Sequence, residues 1–246
     1  MIRAILFDAG NTLIHMDYVA IAAELARHGV AVTPEQIQRG DWTARVRLDG
    51  ELFAPQDAVS TESRDTTARY TRYLLEGAGV HDPALHERMM AWRRGYNAPV
   101  GLWTVAEPEA ADALALVRQA GRVAGVISNS NGTIRRILES LDLARRLDFI
   151  LDSHEEGLEK PDARFFQLAL ARAGVAPDEA AYIGDFYSID VMGARRAGIR
   201  GVLMDPGGCW GVRDCPCAPT VLDAVRLVLR WGTQGAPQSP RAEGPA

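Results

Sequence analysis

Hydrophobic positions along the chain fall into two patterns that alternate over much of its length. Short, mostly apolar runs are typical of strands buried on both faces, and longer stretches with apolar residues every three or four positions are typical of amphipathic helices. The predicted strands are 2–7, 122–127, 148–151, 180–183 and 201–204. The helices predicted beside the later strands are 108–120, 133–141, 163–173, 189–197 and 221–231. Alternation of this kind favours right-handed crossovers and a parallel sheet.

Residues 15–100 interrupt this alternation with helical patterns over 18–28, 34–47, 65–76 and 83–96 and without a strand-like run. Pro34 and Pro83 suit the first turn of a helix, and Gly29 and Gly77 suit helix ends. We therefore predict an α/β fold in which a Rossmann-like core with a parallel five-stranded sheet carries an inserted all-helical cap domain. The core is 1–14 and 101–231, and the cap is 15–100. Residues 232–246 have little apolar surface to bury and are predicted to be disordered.

Composition and charge narrow the classes of partner. Of the 246 residues, 47% are hydrophobic and 24% are charged, as in an ordinary globular protein. The formal net charge is −5, which gives no reason to expect that the chain binds nucleic acid. The first apolar run is too short for a signal peptide, and no run approaches the roughly 20 apolar residues of a membrane span. We expect a cytoplasmic protein with a small-molecule substrate and no membrane partner. No oligomeric state is predicted.

The three cysteines, Cys209, Cys215 and Cys217, lie close together near the end of the last predicted strand. An odd number of cysteines does not indicate a disulfide framework. Their spacing lacks the C-x2-C pair that is usual for zinc, and no histidine is nearby. A loop rich in proline and glycine is therefore favoured over a zinc site.

Polar clusters follow strands of the predicted sheet, and the ends of parallel strands are where open α/β sheets build their sites. Asp8 follows the first strand and precedes the turn-forming residues Gly10, Asn11 and Thr12. A carboxylate placed there could attack phosphorus and form an aspartyl phosphate. The structural alternative is an Asx turn or a helix cap, which needs no chemistry.

Ser128, Asn129 and Lys160 could meet the phosphate of a substrate. The hydroxyl of Ser128 and the free N–H groups around Asn129 follow the second core strand and are suited to phosphate oxygens. Helix capping is the alternative for this segment. Lys160 stands at the opening of a helix, where its ammonium could neutralise charge on a developing phosphorane. A lone lysine is otherwise most often a solvated surface charge.

Asp185 and Asp190 flank a turn after the strand 180–183. Together with Asp8 they would supply the hard oxygen ligands that Mg²⁺ prefers. Three neighbouring carboxylates repel one another, so a cation is the natural partner of such a group. The structural alternative is an acid that interacts favourably with the dipole at the start of a helix, which would explain Asp190 but not Asp185.

In these motifs the chain resembles the haloacid dehalogenase-like (HAD) superfamily of hydrolases, in the type with a helical cap after the first strand. The matching motifs are Asp8 to Thr12, Ser128, Lys160, and Gly184-Asp185 to Asp190, and the resemblance spans about Ile2 to Trp231. It implies a sheet in which the strands ending near Met204, Ile183, Phe7, Ile127 and Leu151 lie side by side in that order.

The resemblance also implies the roles of the site residues. Asp8 would be the nucleophile, and Ser128, Asn129 and Lys160 would hold the phosphate, with Lys160 also acting in catalysis. The ligands of Mg²⁺ would be Asp8, the backbone carbonyl of Gly10, and Asp185, with Asp190 in support. The implied function is a Mg²⁺-dependent phosphatase of a small phosphorylated metabolite.

Gly10 departs from this pattern. Phosphatases of the superfamily generally carry a second aspartate two residues after the nucleophile, where it protonates the leaving oxygen and then activates water. Its loss would slow turnover by about 10²–10⁴-fold. His15 or Asp17 could substitute for it, although both positions suit the connection to the cap. Two alternatives stay open: a dehalogenase- or phosphonatase-like hydrolase, and a weakly catalytic regulatory protein that binds phosphate. The intact motif around Asp185 argues against a dehalogenase, which needs no Mg²⁺.

Substrate specificity is expected to lie in the cap, where no single residue can be assigned from the sequence. The arginines that could meet an anionic substrate are Arg45, Arg47, Arg64, Arg69, Arg72, Arg93 and Arg94. On helices most of them are expected to be solvated charges. Trp42, Trp92 and Trp103 are expected to pack the cap and its hinge rather than to stack on a ligand.

Overall fold

The computed structural model describes residues 1–53 and 60–231, and a parallel sheet of six strands runs through it in the order β5-β4-β1-β6-β7-β8. The strands in chain order are β1 Ala4–Phe7, β2 Ile14–His15, β3 Val105–Ala106, β4 Val123–Ser128, β5 Phe149–Asp152, β6 Ala180–Gly184, β7 Arg200–Met204 and β8 Cys217–Ala218. The central strand is β1, where Phe7 is in register with Val126 on one side and Ile183 on the other.

The five predicted strands and their predicted order are confirmed, but the sheet has a sixth strand. This strand, β8, pairs with Leu203 and Met204 at one edge of the sheet. It has two residues and lies in the segment that the sequence indicated as a loop. A run of two residues is too short to give a hydrophobic pattern, and only pairing to β7 identifies it as a strand.

Ten α-helices are present in the described ranges, and most begin and end within two residues of the predicted positions. They are α1 Tyr18–Arg27, α2 Pro34–Leu48, α3 Arg64–Gly77, α4 Pro83–Gly95, α5 Ala110–Gln119, α6 Ile134–Ser140, α7 Ser153–Glu156, α8 Ala163–Ala173, α9 Met192–Arg196 and α10 Val221–Arg230. Residues 189–197, predicted as one helix, instead form a π-helical turn, Tyr187–Val191, followed by the short α9. A second π-helical turn, Asp49–Phe53, follows α2.

The sheet is covered on both faces, which explains its continuous apolar runs. Ile5 and Phe7 of β1 belong to a buried cluster with α5, α6 and α10. Leu6, between them, points to the opposite face and packs with α8 and α9. Because both faces are sealed, polar side chains that follow the strands are left at the carboxyl edge of the sheet.

Helices α1 to α4 lie between β2 and β3 and form a hydrophobic cluster of their own, with members from Met16 to Leu102. We call them the inserted helices. Strands β2 and β3 pair in an antiparallel ribbon, with Ile14 opposite Ala106 and His15 opposite Val105. The chain therefore leaves and re-enters the core through two paired strands. Of this ribbon only His15 falls within 15–100, the range predicted to be all helical, and neither short strand was predicted.

No helix in 1–53 and 60–231 has the length and apolar character needed to cross a bilayer. The predicted disorder of 232–246 concerns residues outside the described ranges. The cytoplasmic location and the boundaries of the core and cap domains stay predictions.

The close packing of α2 on α3 gives a testable prediction. A Cβ on Gly40 would lie 2.3 Å from the Leu74 backbone oxygen and 2.8 Å from the Ala78 nitrogen. We expect G40A to lower the free energy of unfolding by about 1–3 kcal/mol, because the two helices must move apart. G50A is the matched control, since a Cβ there meets no atom within 4 Å. Urea denaturation of both variants measures the difference, and equal stability would contradict the steric argument.

Candidate active site

The centre of the carboxyl edge is a buried ammonium group bound to two carboxylates. Lys160 Nζ lies 2.5 Å from Asp8 Oδ1 and 2.8 Å from Asp190 Oδ1, and it also donates to the Tyr182 hydroxyl at 3.0 Å. The side chain of Lys160 is 3% exposed. Its backbone N–H donates to Asn129 Oδ1 at 2.8 Å, which ties the loop before α8 to the end of β4. Lys160 therefore links β1 and β6 through its ammonium and the end of β4 through its backbone.

Local backbone geometry aims Asp8 and Asp190 at this point. Asp8 continues β1, with its N–H donated to the Ile183 carbonyl at 2.8 Å, and Asn11 turns the chain away with a left-handed φ of 48°. Asparagine tolerates that conformation better than most residues. Asp190 Oδ2 accepts the backbone N–H groups of Asp185 and Phe186, at 3.1 and 2.9 Å. Asp190 thus fixes the turn that carries Asp185.

Asp185 is bound from the other side by the inserted helices. Arg45 on α2 places Nη1 3.1 Å from Asp185 Oδ2, and the Arg45 side chain is 2% exposed. Asn11 Nδ2 donates to the same oxygen at 3.2 Å and to the Tyr70 hydroxyl on α3 at 3.2 Å. Tyr70 in turn donates to the buried Asp41. A continuous polar network therefore links α2 and α3 to the acid cluster.

Electrostatics show how unfavourable this group would be without cations. Burial raises the pKa of the Asp8 carboxyl to about 6, although the neighbouring Lys160 acts to lower it. Burial also raises the pKa of Asp185 well above its usual range, against the opposing charge of Arg45. For Lys160, burial acts to lower the pKa, but Asp190 and Asp8 outweigh it and the pKa is raised. The charged carboxylates thus depend on nearby positive charge.

Asp8 opens onto a cavity of about 440 Å³ between the sheet edge and the inserted helices. Ser128, Asn129, Lys160, Asp185 and Asp190 also line it. Asn129 uses its side-chain amide on Thr61 Oγ1, at 2.9 Å, and on the Lys160 carbonyl, at 3.0 Å. Every residue predicted for the site thus lies at this one cavity, and Gly10 is part of its wall.

Trp103 covers the position at which Gly10 replaces an acid. A Cβ on Gly10 would lie 3.2 Å from Trp103 Cζ3, so any side chain there would require the indole to shift by a few tenths of an ångström. Neither of the predicted substitutes faces the site in the described ranges. His15 stacks on Tyr18, with ring centroids 4.9 Å apart, and Asp17 caps α1 through the Ala20 N–H. Both residues serve the connection to the inserted helices.

Comparison with known proteins agrees with this geometry. Residues 2–198, which contain all the side chains named above, match the family described as haloacid dehalogenase-like hydrolase. The chain belongs to this family. The resemblance inferred from the four motifs is therefore confirmed, and the chain is a hydrolase.

Three similar proteins illustrate the range of the family. The hydrolase is 43% identical to a phosphoserine phosphatase of Thermus thermophilus over 101 residues, 41% of each chain. It is 36% identical over 216 residues to a ribulose-1,5-bisphosphate 5-phosphatase of Halopiger xanaduensis, covering 84% of this chain and 86% of that enzyme. A crystal structure of a 2-haloacid dehalogenase from Pseudomonas syringae pv. tomato is 27% identical, with a TM-score of 0.57 over 94% of this chain and 100% of that one.

Sequence reasoning missed the part of the site that the inserted helices supply. Arg45 was one of seven arginines expected to be mostly solvated, whereas it is buried on Asp185. Arg93 and Arg94 line the cavity of the hydrolase. Glu62, which had no predicted role, lines it as well. Trp103 packs against the core and the inserted helices, as expected.

Within the described ranges, the cysteine side chains are not part of a group close enough to share an ion. There, the group of three histidine, cysteine, aspartate or glutamate side chains close enough to share an ion is Asp8, Asp185 and Asp190. Their nearest oxygens lie within 4.8 Å of one another. The loop interpretation of the cysteine segment was correct except for the two residues of β8.

The buried pair of Arg45 and Asp185 gives the second prediction. We expect R45Q to lower the free energy of unfolding of the hydrolase by about 3–5 kcal/mol, because it leaves Asp185 buried without its counter-charge. R47Q, two residues along α2, is the matched control. Arg47 is 47% exposed and pairs with Glu51 and Glu76, so its loss should cost about 1 kcal/mol or less. Urea denaturation compares the two, and equal losses would rule out a special role for burial.

Proposed function

We propose that the hydrolase is a Mg²⁺-dependent phosphatase of a small phosphorylated metabolite and works through an aspartyl phosphate on Asp8. The observation that carries the proposal is the arrangement of Asp8 in the cavity, 2.5 Å from the Lys160 ammonium and grouped with Asp185 and Asp190. Relatives with the names of phosphoserine and ribulose bisphosphate phosphatases support this class of substrate. A cavity of about 440 Å³ suits a metabolite of that size.

The residues present fit a divalent cation. The charged side chains of the cluster are Asp8, Asp41, Asp185, Asp190, Lys160 and Arg45. Three of them, Asp8, Asp185 and Asp190, offer carboxylate oxygens within 4.8 Å of one another, a spacing that suits a shared divalent ion. The proposed ligands are Asp8, the Gly10 carbonyl and Asp185, with Asp190 supporting the turn. When bound, Mg²⁺ would draw negative charge from the phosphoryl oxygens and let a phosphate approach the carboxylates.

The side chains around Asp8 would orient the phosphate for attack. In the proposed reaction, Lys160, the Ser128 hydroxyl and the backbone N–H of Asn129 hold its oxygens. The Asn129 side chain is engaged by Thr61 and the Lys160 backbone, so its role would be through the main chain. Arg93 and Arg94 would attract the anionic substrate from the opposite wall.

The first step is attack of an Asp8 oxygen on phosphorus while the bond from phosphorus to the ester oxygen breaks. The product alcohol takes one proton as it leaves. Water then attacks the phosphorus of the aspartyl phosphate, and the bond to Asp8 breaks to release inorganic phosphate. The inserted helices would act as a cap domain, at about 15–100, that excludes bulk water during both steps.

The third prediction tests this function directly. We expect phosphate release from a panel of phosphorylated metabolites that disappears with EDTA, returns with Mg²⁺, and is lost in D8N, because the amide cannot attack phosphorus. A colorimetric phosphate assay makes the measurement. Undiminished release by D8N would refute the proposed nucleophile. Tight binding of a phosphorylated ligand without turnover would favour the regulatory alternative.

A second candidate function, hydrolytic dehalogenation, is favoured by one observation. Gly10 provides no leaving-group acid and Trp103 covers its position, while a halide departs without needing a proton. The similar dehalogenase of Pseudomonas syringae supports the comparison.

The fourth prediction separates the two candidates. We expect no halide release from 2-chloropropionate in the absence of metal, because the acid cluster fits a cation that dehalogenation does not use. Ion chromatography of chloride provides the measurement, with D8N as the blank. Chloride release that requires Asp8 and no metal would replace the phosphatase assignment.

A further inference from the structure

The residues that line the cavity include a further acid, Glu62. Among the described residues that line the cavity, Glu62 is the one carboxylic acid outside the cluster of Asp8, Asp185 and Asp190. It lies after α2 in the chain and just before α3. The site that lacks an acid at Gly10 therefore still has one within the same cavity.

Two sets of hydrogen bonds hold the Glu62 backbone beside the proposed phosphate site. Glu159 Oε1 accepts from Ser60 Oγ and from the Thr61 N–H, both at 2.8 Å. Thr61 Oγ1 accepts from Asn129 Nδ2 at 2.9 Å. Glu159 and Asn129 are the neighbours in sequence of Lys160 and Ser128. The segment is thus anchored to the loops that carry the proposed phosphate ligands.

On its other side Glu62 is followed by a helix cap. Ser63 Oγ accepts the Thr66 N–H at 3.1 Å and begins α3. The Glu62 N–H donates to Ser60 Oγ at 3.1 Å. Because both flanking residues are fixed, the side chain of Glu62 is presented to the cavity from a constrained backbone.

The surroundings of Glu62 favour a carboxyl that exchanges its proton near neutral pH. Glu62 is exposed to solvent and lines the cavity. Desolvation there, with the charges of Glu159, Asp152 and Asp8, raises the pKa of Glu62 to about 7, against the opposing charge of Arg93. A group with that pKa can both give and accept a proton under working conditions.

We propose that Glu62 is the general acid and base of this hydrolase, in place of the carboxyl that is missing at Gly10. The inference rests on the proposed phosphatase function. As Asp8 attacks phosphorus and the ester bond breaks, the Glu62 carboxyl gives its proton to the departing oxygen. Glu62 then takes a proton from the water that attacks the aspartyl phosphate, and the bond from phosphorus to Asp8 breaks. The enzyme returns to its starting protonation state.

The test uses two esters of nearly equal shape, 4-nitrophenyl phosphate and phenyl phosphate, with the full-length protein and Mg²⁺. The nitrophenolate leaves without help, whereas the more basic phenolate needs a proton. We expect E62Q to slow the release of phenol in a single turnover by about 10²–10⁴-fold and to leave the first nitrophenol release nearly unchanged. E87Q is the matched control, since Glu87 is exposed on α4 and does not line the cavity.

The second half of the reaction supplies an independent readout. With 4-nitrophenyl phosphate, E62Q should release a burst of one equivalent of nitrophenol and then turn over slowly, because water lacks its base. Phosphorylated protein should accumulate and be visible as a mass increase that D8N does not show. In the wild-type enzyme the single-turnover release of phenol should fall as pH rises above about 7, and E62Q should lack this fall.

The outcomes separate this inference from the proposed function. If E62Q behaves like E87Q with both esters, or loses the burst and the turnover equally with both, Glu62 is not the proton-transfer group. Loss of all turnover in D8N alongside either result leaves the phosphatase function intact. If D8N matches the wild-type enzyme, or if the wild-type enzyme releases no phosphate from any ester, the proposed function itself fails. Circular dichroism of E62Q and E87Q checks that both are folded.

Discussion

The ammonium of Lys160, buried between Asp8 and Asp190, is the interaction on which the site depends. Three buried carboxylates are gathered at one edge of the parallel sheet, and burial raises the pKa of Asp8 and Asp185. One cation at 2.5 and 2.8 Å from two of them makes the arrangement tolerable. Such buried pairs contribute little net stability, but breaking one leaves a buried charge without compensation. The ion pairs of Lys160 thus hold the strand ends in one geometry.

A second cation comes from outside the core. Arg45 reaches Asp185 from α2, and Tyr70 reaches the same network from α3 through Asn11. The two helices can deliver these side chains to one point because α2 and α3 pack closely at Gly40. The charge balance at the edge of the sheet consequently depends on how the inserted helices pack against each other.

The parts of the fold that the sequence predicted are those in which pattern and position agree. Apolar runs located five strands, and the polar residues directly after them necessarily meet at one edge of a parallel sheet, so Asp8, Ser128 and Asp185 could be grouped in advance. Lys160 precedes a helix and was placed with them by its motif. The contribution of the inserted helices could not be predicted. Arg45 and Arg47 are two residues apart on one helix, yet their side chains are 2% and 47% exposed. Which of them faces the core depends on how α2 is rotated against α3, and a single charged residue carries no periodic signal of that rotation. Glu62 lies outside a regular element, where no pattern applies.

The paired strands β2 and β3 have a consequence for how such a protein can diversify. Ile14 and Ala106 are cross-strand partners, so the segment between them begins and ends about 5 Å apart. A segment whose ends meet can be exchanged for another of different length without moving the strands to which it is attached. The sheet and its cluster of charges could then be inherited unchanged while the inserted helices are replaced. A replacement segment without a residue such as Arg45 would leave Asp185 without the positive charge that α2 now supplies.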